Sequence, residues 1–277
     1  MHTADRKPLV IFSDLDGTLL DHQSYAFGPA QDALAAATDS GVPVILASSK
    51  TAAEIAPLRF ELGLDGWPAI VENGAGLLSG VGSDEYNITQ TKNTGARHEV
   101  LRRLESLPHE LRGRFAGFAE WGTEGIARRT GLSMAEAERA NARAFSEPGE
   151  FSGDDSDLAR FVAALAERGV QAQRGGRFVA LSLGADKAER MREVLVRIGV
   201  PSRAETYVLA LGDGENDIAM LEFADLGVVI ANPAHAPLPR FAAERAGRIL
   251  RTRSLGPVGW NACVLAVLRV KAPRQNT

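Results

Sequence analysis

Two acidic clusters in the sequence each follow a short apolar run. Asp14 and Asp16 come directly after Leu9–Phe12, and Asp213 and Asp217 come after a second run of the same kind. Taken alone, the first cluster would also fit a turn with an Asx cap. Carboxylates gathered from two strand ends repel one another, and a hard cation such as Mg²⁺, which prefers oxygen ligands, relieves that repulsion. The two clusters together therefore favour a magnesium site.

Two further features are suited to binding phosphate oxygens near those carboxylates. Ser48, Ser49 and Lys50 follow a third apolar run and precede Thr51, where a helix is predicted to begin. Hydroxyls and free amides at a helix N-terminus are a favourable seat for phosphate oxygens. Lys187 opens a later predicted helix and can bring a positive charge to the same place, although a lone lysine there also fits a solvated helix surface.

Such side chains need parallel strands that end at one edge of a sheet. Short apolar runs alternate with helical patterns along most of the chain, which is typical of an α/β sheet with crossover helices. The carboxyl ends of these strands form the crevice where open α/β sheets bind ligands. The predicted strands are Leu9–Phe12, Val42–Ala47, Ala69–Val71, Tyr207–Leu211 and, as the last one, Gly227–Ile230.

The pattern changes in the middle of the chain, where helices are mixed with short extended pieces. Among these pieces are Phe115–Ala119 and the flanks of a predicted hairpin at Arg174–Gly176. The predicted fold is therefore α/β, with a doubly wound (Rossmann-like), mainly parallel sheet core and an inserted α+β cap domain. The predicted bounds are 1–86 and 184–277 for the discontinuous core and 87–183 for the cap domain.

Four ordered motifs resemble those of the haloacid dehalogenase-like (HAD) phosphohydrolases. The segments that carry the resemblance are Asp14–Thr18, Ser48, Lys187 and Gly212–Asp217. It implies that Asp14 is a nucleophile that forms an aspartyl-phosphate. It also implies that Asp16 protonates the leaving oxygen and then deprotonates the water that hydrolyses the intermediate, while Ser48 and Lys187 bind the phosphoryl oxygens.

The same resemblance implies a Mg²⁺ cofactor. Its ligands would be the side chains of Asp14 and Asp213 and the main-chain carbonyl of Asp16. Asn216 and Asp217 would support the network around the ion. The sequence thus predicts that the two acidic clusters form one metal-dependent site.

The position of the insertion is similar to that in Cof-type members, which carry a large α+β cap. Within that subgroup, Val71–Ala75, Phe145–Pro148 and Arg174–Phe178 resemble segments of the mannosyl-3-phosphoglycerate phosphatases. This implies hydrolysis of mannosyl-3-phosphoglycerate or glucosyl-3-phosphoglycerate, with a broader-specificity sugar phosphatase or a phosphomutase as alternatives. The candidate substrate-binding residues, each also explicable as a turn or surface residue, are Lys50, Asn73, Glu147, Arg174, Gly175, Gly176 and Arg177.

Composition limits the other classes of function. Lys and Arg total 31 against 35 Asp and Glu, which argues against a nucleic-acid partner. No apolar run approaches the roughly 18 residues of a membrane span. Residues 1–7 lack the apolar stretch of a secretory signal. We therefore expect a cytoplasmic protein, a monomer or homodimer, without a membrane or nucleic-acid partner. The small phosphorylated sugar-glycerate expected as its substrate is implied by the resemblance.

Overall fold

The computed structural model describes residues 7–80, 88–89, 95–175, 177–184, 186–200 and 202–271. The strands are β1 (Leu9–Ser13), β2 (Val44–Leu46), β3 (Ala69–Val71), β4 (Gly76–Leu78), β5 (Ile88–Thr89), β6 (Phe115–Gly117), β7 (Ser146–Phe151), β8 (Gln171–Gly175), β9 (Phe178–Ser182), β10 (Tyr207–Gly212), β11 (Leu226–Ala231) and β12 (Ile249–Leu255). The helices are α1 (Gln31–Asp39), α2 (Ala52–Glu61), α3 (Ala96–Glu105), α4 (His109–Arg112), α5 (Phe118–Thr130), α6 (Met134–Asn141), α7 (Asp155–Ala166), α8 (Lys187–Arg197), α9 (Ile218–Phe223), α10 (Ala242–Arg245) and α11 (Gly256–Lys271).

Parallel strands form the central sheet, in the order β12-β11-β10-β1-β2. β1 lies inside the sheet and pairs with β10 on one side and β2 on the other. Every residue of β1 is buried, which explains why this strand is a continuous apolar run in the sequence. Because these strands run in one direction, the residues that follow β1, β2 and β10 meet at the same edge of the sheet. This edge is called the catalytic edge below, after the catalytic residues that the sequence predicts there.

Helices cover both faces of the central sheet. Leu9 and Ile11 pack in one apolar cluster with α1, α2 and α11, whereas Val10 and Phe12 pack in another with α8 and α9. This alternation along β1 confirms the predicted α/β fold with a mainly parallel central sheet. Among the helices in the described ranges, none is both long and apolar enough to cross a membrane.

A tight turn connects β3 to the antiparallel strand β4. β3 joins the edge of the central sheet through a parallel bridge between Ala47 and Ile70. In the turn, Glu72 and Asn73 have positive φ angles of 48° and 57°. The left-handed region is unfavourable for residues other than glycine. Other contacts must therefore hold the turn Glu72–Gly74 in this conformation.

The elements from α3 to β9, residues 96–182, form a separate layer that we call the cap. Its antiparallel sheet has the order β6-β7-β9-β8. Cap helices α3 and α7 pack on one face of this sheet, and α5 and α6 pack around Phe178 on the other. The predicted bounds of the two domains, 1–86 with 184–277 and 87–183, stay a prediction.

Several elements differ from the sequence-based expectation. The extended piece predicted at Phe115–Ala119 ends at Gly117, because Glu120 accepts the Gly117 N–H at 3.3 Å and α5 begins at Phe118. Gly227–Ile230 is not the last strand, since β12 follows it at the edge of the sheet. β7 is not predicted from the sequence, because it contains Pro148 and a glycine, which are rare inside strands.

Candidate active site

Lys187 lies within a buried cluster of charges at the catalytic edge. Its Nζ donates hydrogen bonds to Oδ1 of Asp14 at 2.7 Å and to Oδ1 of Asp217 at 2.6 Å. The lysine is 1% exposed. Asp14 follows β1, Asp217 ends the turn after β10, and Lys187 opens α8. The structure thus brings together three predicted site residues from distant parts of the chain.

Burial and mutual repulsion control the ionisation of this cluster. Burial and repulsion from Asp217 raise the pKa of Asp14, and the nearby Lys187 ammonium only partly offsets them. Burial also raises the pKa of Asp217. Burial opposes the charge on Lys187, but attraction to the two carboxylates outweighs it and raises the pKa of the ammonium. Negative charge exceeds positive charge here, so an added cation would stabilise the site.

Asp213, which follows β10, is held by contacts to both carboxylate oxygens. The Thr18 hydroxyl donates to Oδ1 at 2.7 Å, and the Asn232 amide donates to Oδ2 at 2.8 Å. Nε2 of His235 lies 2.8 Å from the same Oδ2. Burial disfavours the imidazolium, but hydrogen bonds to the Ala236 carbonyl and to Asp213 outweigh it and raise the pKa of His235. The position of Asp213 is therefore fixed by the chain itself.

Sequence reasoning missed Asn232 and His235. Both follow β11, another strand of the parallel sheet, so the end of that apolar run was the available signal. The sequence has no acidic cluster at this strand end, so its pattern does not indicate a site there.

Gly17 has a φ of 82° and packs so closely against Asn232 that a side chain at position 17 would collide with the Asn232 amide.

The aspartates at the catalytic edge form a group suited to a metal ion. Ligand oxygens of Asp14, Asp213 and Asp217 lie within 4.8 Å of one another, and all three residues are buried. Carboxylate oxygens are the donors that hard divalent cations prefer. Oδ2 of Asp217 also accepts the N–H groups of Asp213 and Gly214, both at 3.0 Å. The donor set fits a hard divalent cation, and Asp217 additionally orders the loop after β10.

Asp16 lies beside Lys50 at the same edge. Its Oδ2 is 3.0 Å from Nζ of Lys50, and its Oδ1 is buried without a hydrogen-bond partner among the described residues. A buried carboxylate oxygen without a partner is costly, so a proton, a water or a substrate group belongs there. Burial opposes the charge on Lys50, but attraction to Asp16 and Glu54 outweighs it and raises the pKa of Lys50.

Ser48 lies two residues after the end of β2, in the loop that leads into α2. The Lys50 N–H donates to the Ser48 hydroxyl oxygen at 3.2 Å. Thr51 caps α2, since its hydroxyl accepts the Glu54 N–H at 3.2 Å while its own N–H donates to Glu54 Oε2 at 2.8 Å. The loop therefore has a fixed shape at a helix N-terminus, as a seat for phosphate oxygens requires.

Asn73 and Asn216, predicted for substrate binding and for the metal network, contact each other. The Asn216 side-chain amide donates to Oδ1 of Asn73 at 3.2 Å. This bond joins the turn after β3 to the turn after β10. Both predicted residues thus lie between neighbouring loops of the catalytic edge.

Glu147 and Arg174, both in the cap, have partners within the cap. Glu147 is fully buried: Arg97 Nε donates to its Oε2 at 2.7 Å, and the Ala119 N–H donates to its Oε1 at 2.7 Å. Its carboxylate is thus used inside the cap. The Arg174 side chain is 63% exposed and lies 3.9 Å from Asp155 at the start of α7. Strand alternation places it, with Ala172, on the face of the cap sheet that α3 and α7 cover.

The tip of the hairpin between β8 and β9 carries two further candidate substrate-binding residues, Gly175 and Arg177. The Arg177 guanidinium lies 4.8 Å from the ring centre of Phe178. It lines a surface depression of about 420 Å³ together with Arg114 and Glu150. Gly175 is exposed and pairs with Phe178 across the hairpin, and Gly176 lies outside the described residues. Contact of these residues with a substrate stays a prediction.

Solved structures share this architecture over nearly the whole chain. The phosphatase BT1666 of Bacteroides thetaiotaomicron has a TM-score of 0.69 at 20% identity, covering 99% of this chain and 98% of that one. Protein 0175 of Thermoplasma acidophilum has a TM-score of 0.65 at 19% identity, covering 95% and 98%. The HAD subclass IIB sugar phosphatase BT4131 has a TM-score of 0.65 at 17% identity, covering 95% and 99%. At these identities the likeness shows a shared fold.

A family model gives the more direct assignment. The model of the haloacid dehalogenase-like hydrolases matches residues 11–103 and 133–238. The matched ranges include Asp14, Lys187 and Asp213, which carry the charges at the catalytic edge. The fold brings these two carboxylates and the lysine together. Because the family model matches most of its length, the chain belongs to the haloacid dehalogenase-like hydrolase family.

Proposed function

We propose that the protein is a metal-dependent phosphatase that hydrolyses a phosphate monoester through an aspartyl-phosphate on Asp14. The observation that carries this proposal is the Lys187 ammonium, held 2.7 Å from the Asp14 carboxylate in a buried site. An ammonium there can hold phosphoryl oxygens beside the attacking carboxylate. It also offsets the negative charge that accumulates as the two groups approach.

The reaction divides into two displacements at phosphorus. In the first, a carboxylate oxygen of Asp14 forms a bond to phosphorus while the bond to the leaving oxygen breaks. Asp16 donates its carboxyl proton to that leaving oxygen. In the second, Asp16 takes a proton from water, whose oxygen attacks phosphorus and releases Asp14 and inorganic phosphate. The buried Oδ1 of Asp16, without a partner among the described residues, supports this role.

We further propose Mg²⁺ as the cofactor. The side chains of Asp14 and Asp213 and the main-chain carbonyl of Asp16 would hold it. When bound, the ion supplies positive charge that offsets the phosphoryl group and the carboxylates. Asp217 would keep Lys187 and the loop after β10 in position, and Asn216 would hold that loop against Asn73.

Ser48 would bind phosphoryl oxygens together with the amides of its loop. The fixed loop between β2 and α2 supports this role, because preorganised donors need not reorient when charge develops on phosphate. The ammonium of Lys187 would offset the negative charge on the phosphoryl oxygens that face it. The two contacts together would orient phosphorus for attack by Asp14.

For the substrate we propose a phosphorylated glycosyl-glycerate, either mannosyl-3-phosphoglycerate or glucosyl-3-phosphoglycerate. Lys50 supports this choice, because its ammonium lies 3.0 Å from Asp16, which would protonate the ester oxygen. An anionic group bound by Lys50 would thus lie close to that oxygen. In a 3-phosphoglycerate ester, the carboxylate is a short distance from the ester oxygen along the same small molecule.

A broader-specificity sugar phosphatase is the second candidate, and the position of Arg174 favours it. Arg174 lies 3.9 Å from Asp155 on the face of the cap sheet that α3 and α7 cover, so this candidate substrate-binding arginine already has a partner inside the cap. A related fold is found in a sugar phosphatase, which supports a sugar phosphate without a glycerate.

Phosphate release from a panel of esters tests these proposals. The panel contains mannosyl-3-phosphoglycerate, glucosyl-3-phosphoglycerate, glucose 6-phosphate and p-nitrophenyl phosphate, each assayed with Mg²⁺. A kcat/KM at least about tenfold higher for a glycosyl-glycerate ester supports the first candidate. Similar values for glucose 6-phosphate support the second. Isomerisation of a sugar phosphate without release of phosphate would identify a phosphomutase.

A further inference from the structure

Glu72, which none of the proposed catalytic steps uses, joins the cap to the catalytic edge. Its carboxylate, only 3% exposed, accepts three consecutive main-chain N–H groups, from Ala144 at 2.9 Å, Phe145 at 3.2 Å and Ser146 at 2.9 Å. The Ser146 hydroxyl donates to it as well, at 2.6 Å. This segment leads into β7, an inner strand of the cap sheet.

The backbone of the same turn contacts the loop after β2. The Glu72 N–H donates to the Lys50 carbonyl at 2.9 Å, and the Asn73 N–H donates to the Ser48 carbonyl at 2.9 Å. One residue therefore binds the proposed phosphate loop through its main chain and the cap through its side chain. Glu72 therefore connects the loop after β2 to the start of β7.

The turn also contacts the start of α8, which carries Lys187. Arg190 Nε donates to the Gly74 carbonyl at 2.8 Å. Gly74 has a φ of 95° and packs so closely on the main chain of Asp186 that a side chain would collide with it. The turn Glu72–Gly74 is therefore in contact with two of the loops that would hold the phosphoryl group.

Other polar contacts between the cap and the core converge on the same place. Arg143 Nη2 donates to the Ser49 carbonyl at 2.8 Å, and its Nε lies 3.5 Å from Glu72 Oε2. The Thr51 hydroxyl donates to the Arg139 carbonyl at 2.8 Å. Glu72 lies within this set as the acceptor for three consecutive N–H groups, of which those of Phe145 and Ser146 belong to buried residues.

We propose that Glu72 is a positioning residue that fixes the start of β7 over the loop after β2, and thereby sets how the cap meets the leaving group. The positive φ of Glu72, unfavourable for a side chain, is maintained because it directs the carboxylate to the segment Ala144–Ser146. The kinetic test of this proposal rests on the proposed phosphatase function, whereas its test by hydrogen exchange does not.

Amide hydrogen exchange in Glu72→Gly and Glu72→Gln provides the structural test. Glycine removes the carboxylate but adopts a positive φ easily, so the turn keeps its shape. We expect exchange of the amides in Ala144–Ser146 to become at least about tenfold faster in Glu72→Gly. Exchange in β1 should stay as in the wild type. Glutamine keeps one acceptor oxygen, so its effect should be intermediate.

Kinetics with two substrates provide the functional test. The small leaving group of p-nitrophenyl phosphate needs little from the cap, so its kcat and KM should stay within about threefold of wild type in Glu72→Gly. For mannosyl-3-phosphoglycerate we expect KM to rise about tenfold or more. A structural defect alone would lower both activities together, and that result would overturn the proposal.

Asp225→Asn is the matched control. Asp225 also uses a carboxylate oxygen to accept a main-chain N–H, that of Val208 at 2.7 Å, but near the amino end of β10, away from the catalytic edge. It should leave exchange of the Ala144–Ser146 amides unchanged. Unchanged exchange of those amides in Glu72→Gly would overturn the positioning role of Glu72, whatever the activity of the protein. Failure of the wild-type protein to hydrolyse either substrate would instead contradict the proposed function.

Discussion

Charged residues are held very differently at the catalytic edge and at the hairpin of the cap. Lys187 is buried between two carboxylates at 2.7 and 2.6 Å, whereas Arg174 and its partner Asp155 are mostly exposed and 3.9 Å apart. Breaking a buried pair leaves an uncompensated charge, while an exposed pair contributes about 0–1 kcal/mol. We infer that the residues of the buried cluster around Lys187 affect every substrate alike, and that substitutions outside this cluster have smaller effects.

The largest expected effect is that of Asp14→Asn. The amide is nearly isosteric but cannot attack phosphorus, so activity on every ester should fall below about 1% of wild type. Phosphate release and thermal unfolding measured together would separate lost chemistry from lost folding. Asp32→Asn, at an exposed position of α1, is the control and should retain activity. Substantial residual hydrolysis in the Asp14 variant would rule out the aspartyl-phosphate.

Metal removal comes next in size. EDTA should abolish hydrolysis of all substrates, and Mg²⁺ should restore it, because the clustered carboxylates of Asp14, Asp213 and Asp217 need a compensating cation. Ca²⁺ should restore little, since its larger and looser coordination shell does not fix the geometry of displacement. Full activity in the chelator would contradict the proposed metal site.

Lys50→Ala should have a smaller effect that depends on the substrate. Lys50 contacts Asp16 but not the Asp14–Lys187 pair, so we expect about a tenfold lower kcat/KM for a glycosyl-3-phosphoglycerate. Hydrolysis of p-nitrophenyl phosphate, which has no carboxylate, should change less than about threefold. Lys271→Ala, at a lysine that lies over the Tyr207 ring, is the matched control. Equal losses on both substrates would place Lys50 in the chemistry instead.

The smallest expected effect is that of Arg174→Ala. Its ion pair with Asp155 is exposed and lies on the face of the cap sheet that α3 and α7 cover, so kcat/KM should stay within about twofold on every substrate. Steady-state kinetics with a glycosyl-3-phosphoglycerate and with p-nitrophenyl phosphate would check this. A tenfold loss of kcat/KM confined to the glycosyl-3-phosphoglycerate would show that Arg174 contacts that substrate.

The catalytic edge was largely accessible to sequence reasoning because strand ends and carboxylates coincide there. Asp14 and Asp213 follow apolar runs, and parallel strands bring such ends together. His235 and Asn232 were not predicted, because their role depends on the approach of β11 to β10, and their own residue types give no distinctive pattern. Contacts that arise only from tertiary packing leave little trace in local sequence.

The cap was harder to predict for two physical reasons. β7 is held in its sheet by pairing on both sides, which overrides the poor strand preference of Pro148 and Gly149. The direction of Arg174 depends on strand register, which a sequence does not specify without its partner strand. Charge and hairpin position therefore did not reveal that Arg174 lies 3.9 Å from Asp155, and its contact with a substrate stays a prediction.

The pairing of β1 with β10 has a consequence for how the chain is made. Leu9 pairs with Tyr207, so β1, which Asp14 follows, has no β10 partner until most of the chain has left the ribosome. The cap strands, in contrast, pair within residues 115–182. Long-range pairing slows folding and leaves apolar strands exposed meanwhile. A nascent chain that stops before Tyr207 should thus carry a formed cap beside a bare, aggregation-prone β1.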